Sequence, residues 1–243
     1  MLRNGSADPE VAMRSLPDRS PAVQTVTTRH GPAHPEPSAL SALDDQALLG
    51  LMLGRCLCAP DRDGVATALI DRFGTLGDIA AAELAELARI PGMGPTAILD
   101  LKLLRELSVR LARSQACARP VLSSWHALVS YARTALAHLP REQFRALYLD
   151  RRNILLRDEL LAEGTVDHAP VYPREVVRRA LELSASALIL VHNHPSGDPT
   201  PSQADITVTR QVVEAARLFG LQVHDHLVVG REGTTSFRTL GLF

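Results

Sequence analysis

Residues 187–205 have the sequence ALILVHNHPSGDPTPSQAD. The apolar run that opens this stretch predicts a buried strand. Because alternate residues of a strand face the same way, a strand that continues through His194 would direct the imidazoles of His192 and His194 to one side of a sheet. The prolines and the glycine that follow predict a loop. An amphipathic helix is predicted to begin near Ser202, with Asp205 in its first turn.

These side chains predict a metal site. Two neutral imidazoles and a carboxylate suit Zn²⁺, with ligand bonds of about 2.0–2.2 Å and a fourth position left to water. His192, His194 and Asp205 are the predicted ligands. Asp198 lies in the same loop and is a rival for the carboxylate position, but a helix can hold Asp205 more rigidly. Ser202 and Asp205 also have the spacing of a helix capping box, which is a purely structural alternative for the pair.

The spacing of the cluster resembles a known signature. His192-x-His194, seven residues, Ser202, two residues and Asp205 match the JAMM (JAB/MPN) metalloprotease motif. The wider sequence resembles the RadC family of bacterial proteins over most of the chain after about residue 40. The stretches that carry this resemblance are Phe144–Asp150, Glu163-Gly164-Thr165, Pro173–Val176, His192–Ser202, Asp225–Gly230 and Ser236-Phe237-Arg238.

The resemblance implies a fold, an activity and further site residues. The fold is α/β (α+β), with a JAB/MPN-like mixed, curved β-sheet flanked by helices and preceded by a small all-α domain. The activity is that of a zinc-dependent metallohydrolase, a JAMM-type metallopeptidase or isopeptidase that acts on an unknown protein or peptide. In JAMM enzymes a glutamate at the start of an earlier strand is the base, and its match is Glu142, with Glu159 and Glu163 as rivals. Ser202 resembles the family's serine, whose hydroxyl would hydrogen-bond the developing oxyanion or the water.

A second polar cluster, His224-Asp225-His226, lies near the C-terminus. The Asp225 carboxylate could orient a ligand histidine by accepting a hydrogen bond from the ring nitrogen that does not face the metal. Alternatively, His226 is a packed histidine that is satisfied inside the sheet. The sequence leaves both interpretations open, and neither residue is predicted to be a ligand.

The chain divides into three predicted parts. Residues 1–38 are rich in Pro, Ser, Thr and charge, and we expect a disordered tail. Residues 39–118 have helical periodicity, and the Gly92-Met93-Gly94 turn resembles a helix-hairpin-helix element, in which backbone N–H groups hold a DNA phosphate. This part carries eight basic and ten acidic residues and lacks a basic stripe, so only weak DNA contact through the turn is predicted. Residues 121–243 form the predicted metallohydrolase domain.

Composition narrows the class of protein. The 243 residues are 46% hydrophobic and 22% charged, with a net charge of −1, which is typical of a globular protein and gives no global attraction to nucleic acid or anionic membranes. Three cysteines cannot build a disulfide framework and predict a reducing compartment. Cys56 and Cys58 could be a metal pair, but they lie in an apolar helical stretch, which favours buried free thiols. No apolar run is long enough for a membrane span, so the predicted location is the cytoplasm. Two alternatives to a peptidase remain: a non-catalytic DNA-associated or partner-binding protein with a structural metal, and a hydrolase of a non-peptide bond.

Overall fold

A computed structural model describes residues 37–58, 61–117, 120–164 and 171–243. The predicted disordered tail lies outside the described residues, except for its last two positions, which open a 3₁₀ helix at Pro37–Ala42. Residues Ser41–Phe243 form one compact unit. In that unit a run of helices is followed by a mixed sheet with flanking helices, which confirms the predicted α+β class.

The first part of the unit is helical. Its helices are α1 (Asp45–Leu53), α2 (Asp61–Phe73), α3 (Leu76–Ala81), α4 (Leu84–Leu87) and α5 (Pro95–Cys117). Apolar residues from all five helices bury a shared core, among them Leu53, Leu69, Ile79, Leu87 and Leu101. Burial of this apolar surface stabilises the helices, which are mostly too short to persist alone in water.

The helical periodicity of residues 81–89 predicts one helix there, and this prediction is wrong. The chain leaves α3 at Ala82, which has an extended backbone (ψ 148°), and α4 restarts two residues later. The Lys102 ammonium on α5 donates to the carbonyl oxygens of Ala80 and Ala82. Terminal carbonyls of a helix lack intrahelical partners, so this lysine stabilises the end of α3. This contact joins residues about twenty positions apart, so the local periodicity of the sequence does not predict it.

The second part of the unit contains the sheet. Its elements are a 3₁₀ turn (Val121–Ser124), α6 (Trp125–Leu136), β1 (Glu142–Leu149), β2 (Leu155–Gly164), α7 (Pro173–Glu182), β3 (Ala187–Asn193), α8 (Gln203–Leu218), β4 (Gln222–Val229), β5 (Thr234–Ser236) and α9 (Phe237–Leu240). The strand order is β2-β1-β3-β4-β5. Among the strands of the described ranges, only β3 and β4 pair in parallel, and α8 makes the crossover between them.

The central strand β3 is buried along its whole length. Its odd-numbered apolar residues, such as Ile189, pack in one core with α6, whereas Leu188 and Leu190 pack in a second core with α7 and α8. His192 continues the even-numbered series. Because side chains alternate between the two faces of a strand, the His192 imidazole lies on the face of the sheet that α8 covers.

Two further expectations concern single features. No helix in the described ranges is long and apolar enough to cross a membrane. The three cysteines are free, as predicted, but Cys58 is exposed and the other two are only half-buried. The expectation that Cys56 and Cys58 are both buried is therefore wrong.

Candidate metal centre

The two motif histidines point to the same side of the sheet, as their spacing predicts. The regular strand β3 ends at Asn193, and the backbone N–H of His194 still donates to the carbonyl of Val229 on β4 at 2.9 Å. This bond keeps the backbone extended for one residue beyond β3. The Nε2 atoms of His192 and His194 lie 3.0 Å apart.

Asp205 completes the cluster from the first turn of α8. Its Oδ1 lies 3.3 Å from Nε2 of His192, and its Oδ2 lies 3.5 Å from Nε2 of His194. Four ligands at zinc bond lengths define a tetrahedron with edges of about 3.3–3.6 Å. The Nε2–Nε2 separation and the distance from each histidine to one Asp205 oxygen agree with that edge to within a few tenths of an ångström, and the two histidines approach different oxygens of the carboxylate. The three predicted ligands are thus brought together in an arrangement that a cation can occupy.

Hydrogen bonds define which nitrogen of His194 carries its proton. Its Nδ1 lies 2.9 Å from the carbonyl oxygen of Asp198. A carbonyl only accepts, so Nδ1 must be the protonated nitrogen, and Nε2 of the neutral ring presents a lone pair.

A buried chain of hydrogen bonds defines which nitrogen of His192 carries its proton. The Thr209 hydroxyl donates its one proton to the backbone oxygen of Asp205 at 2.5 Å, so it accepts from Nδ1 of His226 at 2.6 Å. Neutral His226 then accepts at Nε2 from Nδ1 of His192, 2.8 Å away. Both motif histidines therefore direct Nε2 lone pairs at one point. Two lone pairs this close repel unless a proton or a cation lies between them, so the donor set fits a metal ion.

The pKa shifts of Asp205 and His194 record the attraction between the imidazoles and the carboxylate, and the pKa shift of His226 agrees with its assignment as a neutral ring. Burial raises the pKa of Asp205, but hydrogen bonds and charge from His192 and His194 outweigh burial and hold the pKa well below its usual value. The hydrogen bond to Asp205 raises the pKa of His194 despite partial burial. Complete burial lowers the pKa of His226 well below its usual value, which keeps this ring neutral.

Two other carboxylates near the cluster, those of Asp198 and Asp225, are engaged elsewhere. Oδ1 of Asp198 accepts from the backbone N–H and the hydroxyl of Thr200, at 2.9 and 2.7 Å. The Asp225 carboxylate accepts from the backbone N–H groups of His226 and Arg238 and from the Ser236 hydroxyl. Asp225 therefore stabilises the start of α9 and orients no ligand. His226 is indeed packed inside the sheet, but it also contacts His192 through its own imidazole.

The candidate base Glu142 opens β1 beside the cluster. Two residues further along, Phe144 pairs with His192 across the β1–β3 ladder, and their rings stack with centroids 5.6 Å apart. Strand alternation places Glu142 on the same face as Phe144, and its charge contributes to the raised pKa of His194. Glu163 pairs with Gln143, which faces the other side of β1.

Glu159 shares the face of the cluster but is held by an arginine. Its two carboxylate oxygens accept from Nε of Arg179 on α7 at 2.9 and 2.7 Å. A base must be free to take a proton. Of the three candidate glutamates, Glu142 therefore has the best position.

Comparison with known proteins gives the family. The family model described as RadC-like JAB domain matches residues 122–242. A UPF0758 protein from Rhodobacter capsulatus is 56% identical over 201 residues, which are 83% of this chain and 94% of that protein. The chain belongs to the RadC family. All of the candidate site residues lie within the RadC-like JAB domain.

The sequence pattern did not single out Asn193, which lies between the two histidines in this RadC-family chain. Asn193 is fully buried. Its Oδ1 accepts from the backbone N–H of Gln143 at 2.8 Å, and its Nδ2 donates to the carbonyl of Arg141 at 3.1 Å. One side chain thus holds the peptide groups on both sides of Glu142. The sequence feature that could have indicated a role for Asn193 is its amide group at the end of a strongly apolar strand, because a buried amide needs hydrogen-bond partners.

The loop after His194 in this RadC-family protein is held by Arg231. Nη2 of Arg231 donates to the carbonyl oxygens of Pro195 and Ser196, at 2.9 and 3.2 Å. Its Nη1 lies 3.4 Å from Oδ1 of Asp78 on α3. The local sequence does not predict these contacts of Arg231, because Arg231 and Asp78 are 153 positions apart.

Two glycines let the same loop pack closely against the end of β4. A Cβ atom at Gly230 would lie 2.0 Å from the backbone oxygen of Gly197, which also accepts from the N–H of Glu232 at 3.1 Å. Gly197 itself has a φ of +103°, which other residues rarely adopt. The close approach therefore requires glycine at both positions.

Ser202 has a clear structural role. It caps α8, accepting from the N–H of Asp205, while its hydroxyl donates to Oδ2 of Asp205 at 2.7 Å. The predicted capping box is formed. Ser202 thereby orients the Asp205 carboxylate, and donation to an oxyanion stays a prediction.

Proposed function

We propose that this RadC-family protein is a zinc-dependent, JAMM-type metallohydrolase that cleaves a peptide or isopeptide bond. The observation that carries the proposal is the convergence of two Nε2 lone pairs and the Asp205 carboxylate, 3.0–3.5 Å apart, beside Glu142. His192, His194 and Asp205 would hold the ion. When bound, the ion supplies a Lewis acid that acidifies water to a pKa of about 7 and polarises a carbonyl.

The remaining chemistry falls to residues of the chain. As the oxygen of water bonds to the carbonyl carbon and the carbon–nitrogen bond breaks, a proton must travel from the water to the leaving amine. Glu142 takes this proton and passes it on. Asn193 supports Glu142 by holding its two flanking peptide groups, and His226 with Thr209 keeps His192 in the tautomer that presents Nε2. Donation by Ser202 to a developing oxyanion would require its hydroxyl to leave Asp205.

Metal analysis tests the first half of the proposal. We expect the full-length protein, purified without chelator, to contain about one zinc per chain by mass spectrometry of the metal. The His192→Ala, His194→Ala double variant should contain none. His224→Ala is the matched control, because its imidazole contacts Asn153 and not the cluster. Equal zinc in the double variant and the control would reject the site.

Peptide cleavage tests the second half. The protein is incubated with a proteome-derived peptide mixture, and new termini are identified by mass spectrometry. Glu142→Gln should retain zinc and lose about 10²–10⁴-fold in cleavage rate, whereas Glu163→Gln should cleave normally. Zinc binding without cleavage by the wild type would favour the non-catalytic alternative with a structural metal.

Weak DNA contact is the second candidate function, and the exposed turn before α5 favours it. Gly92 has a φ of +88°, as a tight turn between helices requires. However, Arg89, the nearest basic residue in the preceding sequence, pairs with Glu86. Fluorescence anisotropy with a labelled DNA duplex at low salt tests this function. Binding that weakens with salt and with Gly92→Val would support it, and absence of binding at low salt would remove it.

A further inference from the structure

A cavity lies between α3, α5 and α6, apart from the metal cluster. Its volume is about 390 Å³, which is in the range of small-molecule sites, about 300–1,000 Å³. Two arginines line it, Arg105 on α5 and Arg133 on α6. Among the described residues that line the cavity, none is an aspartate or a glutamate. We call this space the arginine cavity.

Neither arginine of the cavity is paired with a carboxylate. In the described part of the chain, each guanidinium donates one hydrogen bond, and each of these goes to a backbone carbonyl. Arg105 donates from Nη2 to Ala135 at 2.8 Å, and Arg133 donates from Nη2 to Arg231 at 3.4 Å. A guanidinium has five N–H donors, so most of the donors of both groups are left for another acceptor.

The carboxylates next to lining residues are bound to other groups. Oδ1 of Asp78 accepts from Nδ1 of His138 at 3.0 Å and lies 3.4 Å from Nη1 of Arg231. Glu106 accepts from Nε of Arg110 at 2.6 Å. These carboxylates are therefore already neutralised and leave the charge of the arginine cavity uncompensated.

The missing partner matters most at Arg105, which is partly removed from water. Burial lowers the pKa of Arg105, the charge of Glu106 opposes this effect, and the charge of Arg145 adds to it. Charges that leave water are normally paired and hydrogen-bonded, because their desolvation is costly. An anion in the cavity would supply the partner that the chain does not.

The lining favours a phosphate group over a carboxylate. The Ser108 and Thr134 hydroxyls each donate to a carbonyl of their own helix at 2.9 Å, so recognition falls to the guanidinium groups. Two guanidinium forks match the several oxygens of a phosphate, and a phosphate monoester carries about −1.5 to −2 charges at pH 7, against −1 for a carboxylate. Leu76, Leu104 and Leu139 line other parts of the cavity and could contact an apolar group that carries the phosphate.

We propose that the arginine cavity binds the phosphate group of a small anion, with Arg105 and Arg133 as the anion-binding residues. The ligand is either free phosphate or a phosphate ester whose apolar part contacts the leucines. The site shares no residue with the metal cluster, so it is independent of the proposed hydrolysis.

Isothermal titration calorimetry of the full-length protein, in a buffer without phosphate, tests the site. The probes are phenyl phosphate, inorganic phosphate and phenol. We expect phenyl phosphate to bind with a dissociation constant of about 1 mM or lower, and phenol not to bind. Tighter binding of phenyl phosphate than of inorganic phosphate would identify an ester as the ligand, and equal binding would identify free phosphate. Absence of binding by both phosphates overturns the proposal.

Variants locate the bound phosphate. Arg105→Gln and Arg133→Gln should each weaken phosphate binding about 10–100-fold, because each removes charge-assisted hydrogen bonds. Arg113→Gln is the matched control, since Arg113 is exposed on the same helix and does not line the cavity. It should bind phosphate within about twofold of the wild type, because exposed charges at a distance are screened. Equal weakening in all three variants would indicate general attraction to arginines and overturn the proposal.

A larger side chain in the cavity gives a second test that keeps both arginines. Ser108→Phe should abolish phosphate binding by filling the space, and unchanged binding would exclude this cavity. A metal ion can also bind phosphate, so the titrations are repeated with the His192→Ala, His194→Ala double variant. Its phosphate affinity should equal that of the wild type. Loss of binding in this variant would place the phosphate at the metal cluster and overturn the proposal.

Discussion

Nδ1 of His192 lies 2.8 Å from Nε2 of His226, in a part of the sheet where both imidazoles are fully buried. His226 is held in turn by the Thr209 hydroxyl. The proton arrangement of a candidate ligand is therefore set by one residue on β4 and one on α8, neither of which points its donor atoms at the candidate ion. Metal affinity should depend on these supporting residues as well as on the ligands.

Loss of the Thr209 hydroxyl should weaken zinc binding. In Thr209→Val, Nδ1–H of His226 has no acceptor, and the tautomer of His192 is no longer fixed. We expect a zinc dissociation constant about 10–100-fold higher, measured by competition with a chromophoric chelator. Thr207→Val on the same helix is the control, because the Thr207 hydroxyl is exposed and bonds only its own turn. Equal affinities in the two variants would contradict the proposed support.

Asn193→Ala should reduce cleavage while zinc affinity stays within about twofold. Without the amide, the N–H of Gln143 and the carbonyl of Arg141 lose their partner, and the backbone that carries Glu142 is released. We expect a kcat at least about tenfold lower and a free energy of unfolding about 1–3 kcal/mol lower. Parallel loss of zinc and activity would show that Asn193 acts on the ligands and not on Glu142.

Glu159→Gln should change stability in a pH-dependent way and leave cleavage intact. The hydrogen bonds from Arg179 lower the pKa of Glu159 in the folded protein, against the opposing effect of burial. A lowered folded pKa stabilises the protein fully above the unfolded value of about 4.3, and this contribution is lost as the pH falls through the folded pKa. We expect the variant to be less stable by about 1 kcal/mol at pH 7.

Urea unfolding at a series of pH values measures this effect. The difference from the wild type should be constant between pH 7 and 5 and should shrink below about pH 4. Glu163→Gln is the control, since Glu163 is exposed, and its stability difference should be small at every pH. A cleavage defect in Glu159→Gln would indicate that Glu159, and not Glu142, is the base.

Gly230→Ala should destabilise the loop that follows His194. The added methyl group meets the backbone oxygen of Gly197, which cannot rotate away as a side chain would. We expect a loss of about 2–4 kcal/mol in the free energy of unfolding and weaker zinc binding. Gly64→Ala is the control, because a Cβ there has open space within helix α2, and it should be neutral or stabilising by up to about 1 kcal/mol. Similar melting curves for the two variants would refute the close approach.

The sequence was most informative where function and periodicity coincide. The alternation of β3 was enough to predict that His192 and His194 share a side, and the capping spacing placed Asp205 at a helix start. The chemistry of His226 could not be predicted, because it depends on the parallel pairing of β3 with β4, whose strands are separated by a whole helix. The break before α4 was missed for a similar reason, since the lysine that satisfies the end of α3 comes from α5.

Arg231 couples the metal-site loop to the helical region. Its guanidinium bonds the carbonyls of Pro195 and Ser196 and reaches the carboxylate of Asp78, which His138 also holds at 3.0 Å. Cutting the chain at residue 122, where the family match begins, removes one anchor of this arrangement. A truncated JAB domain would then carry its histidines on a less constrained loop, and measurements on it would not represent the full-length chain. A displacement of α3 would therefore be transmitted through Asp78 and Arg231 to the loop that follows His194.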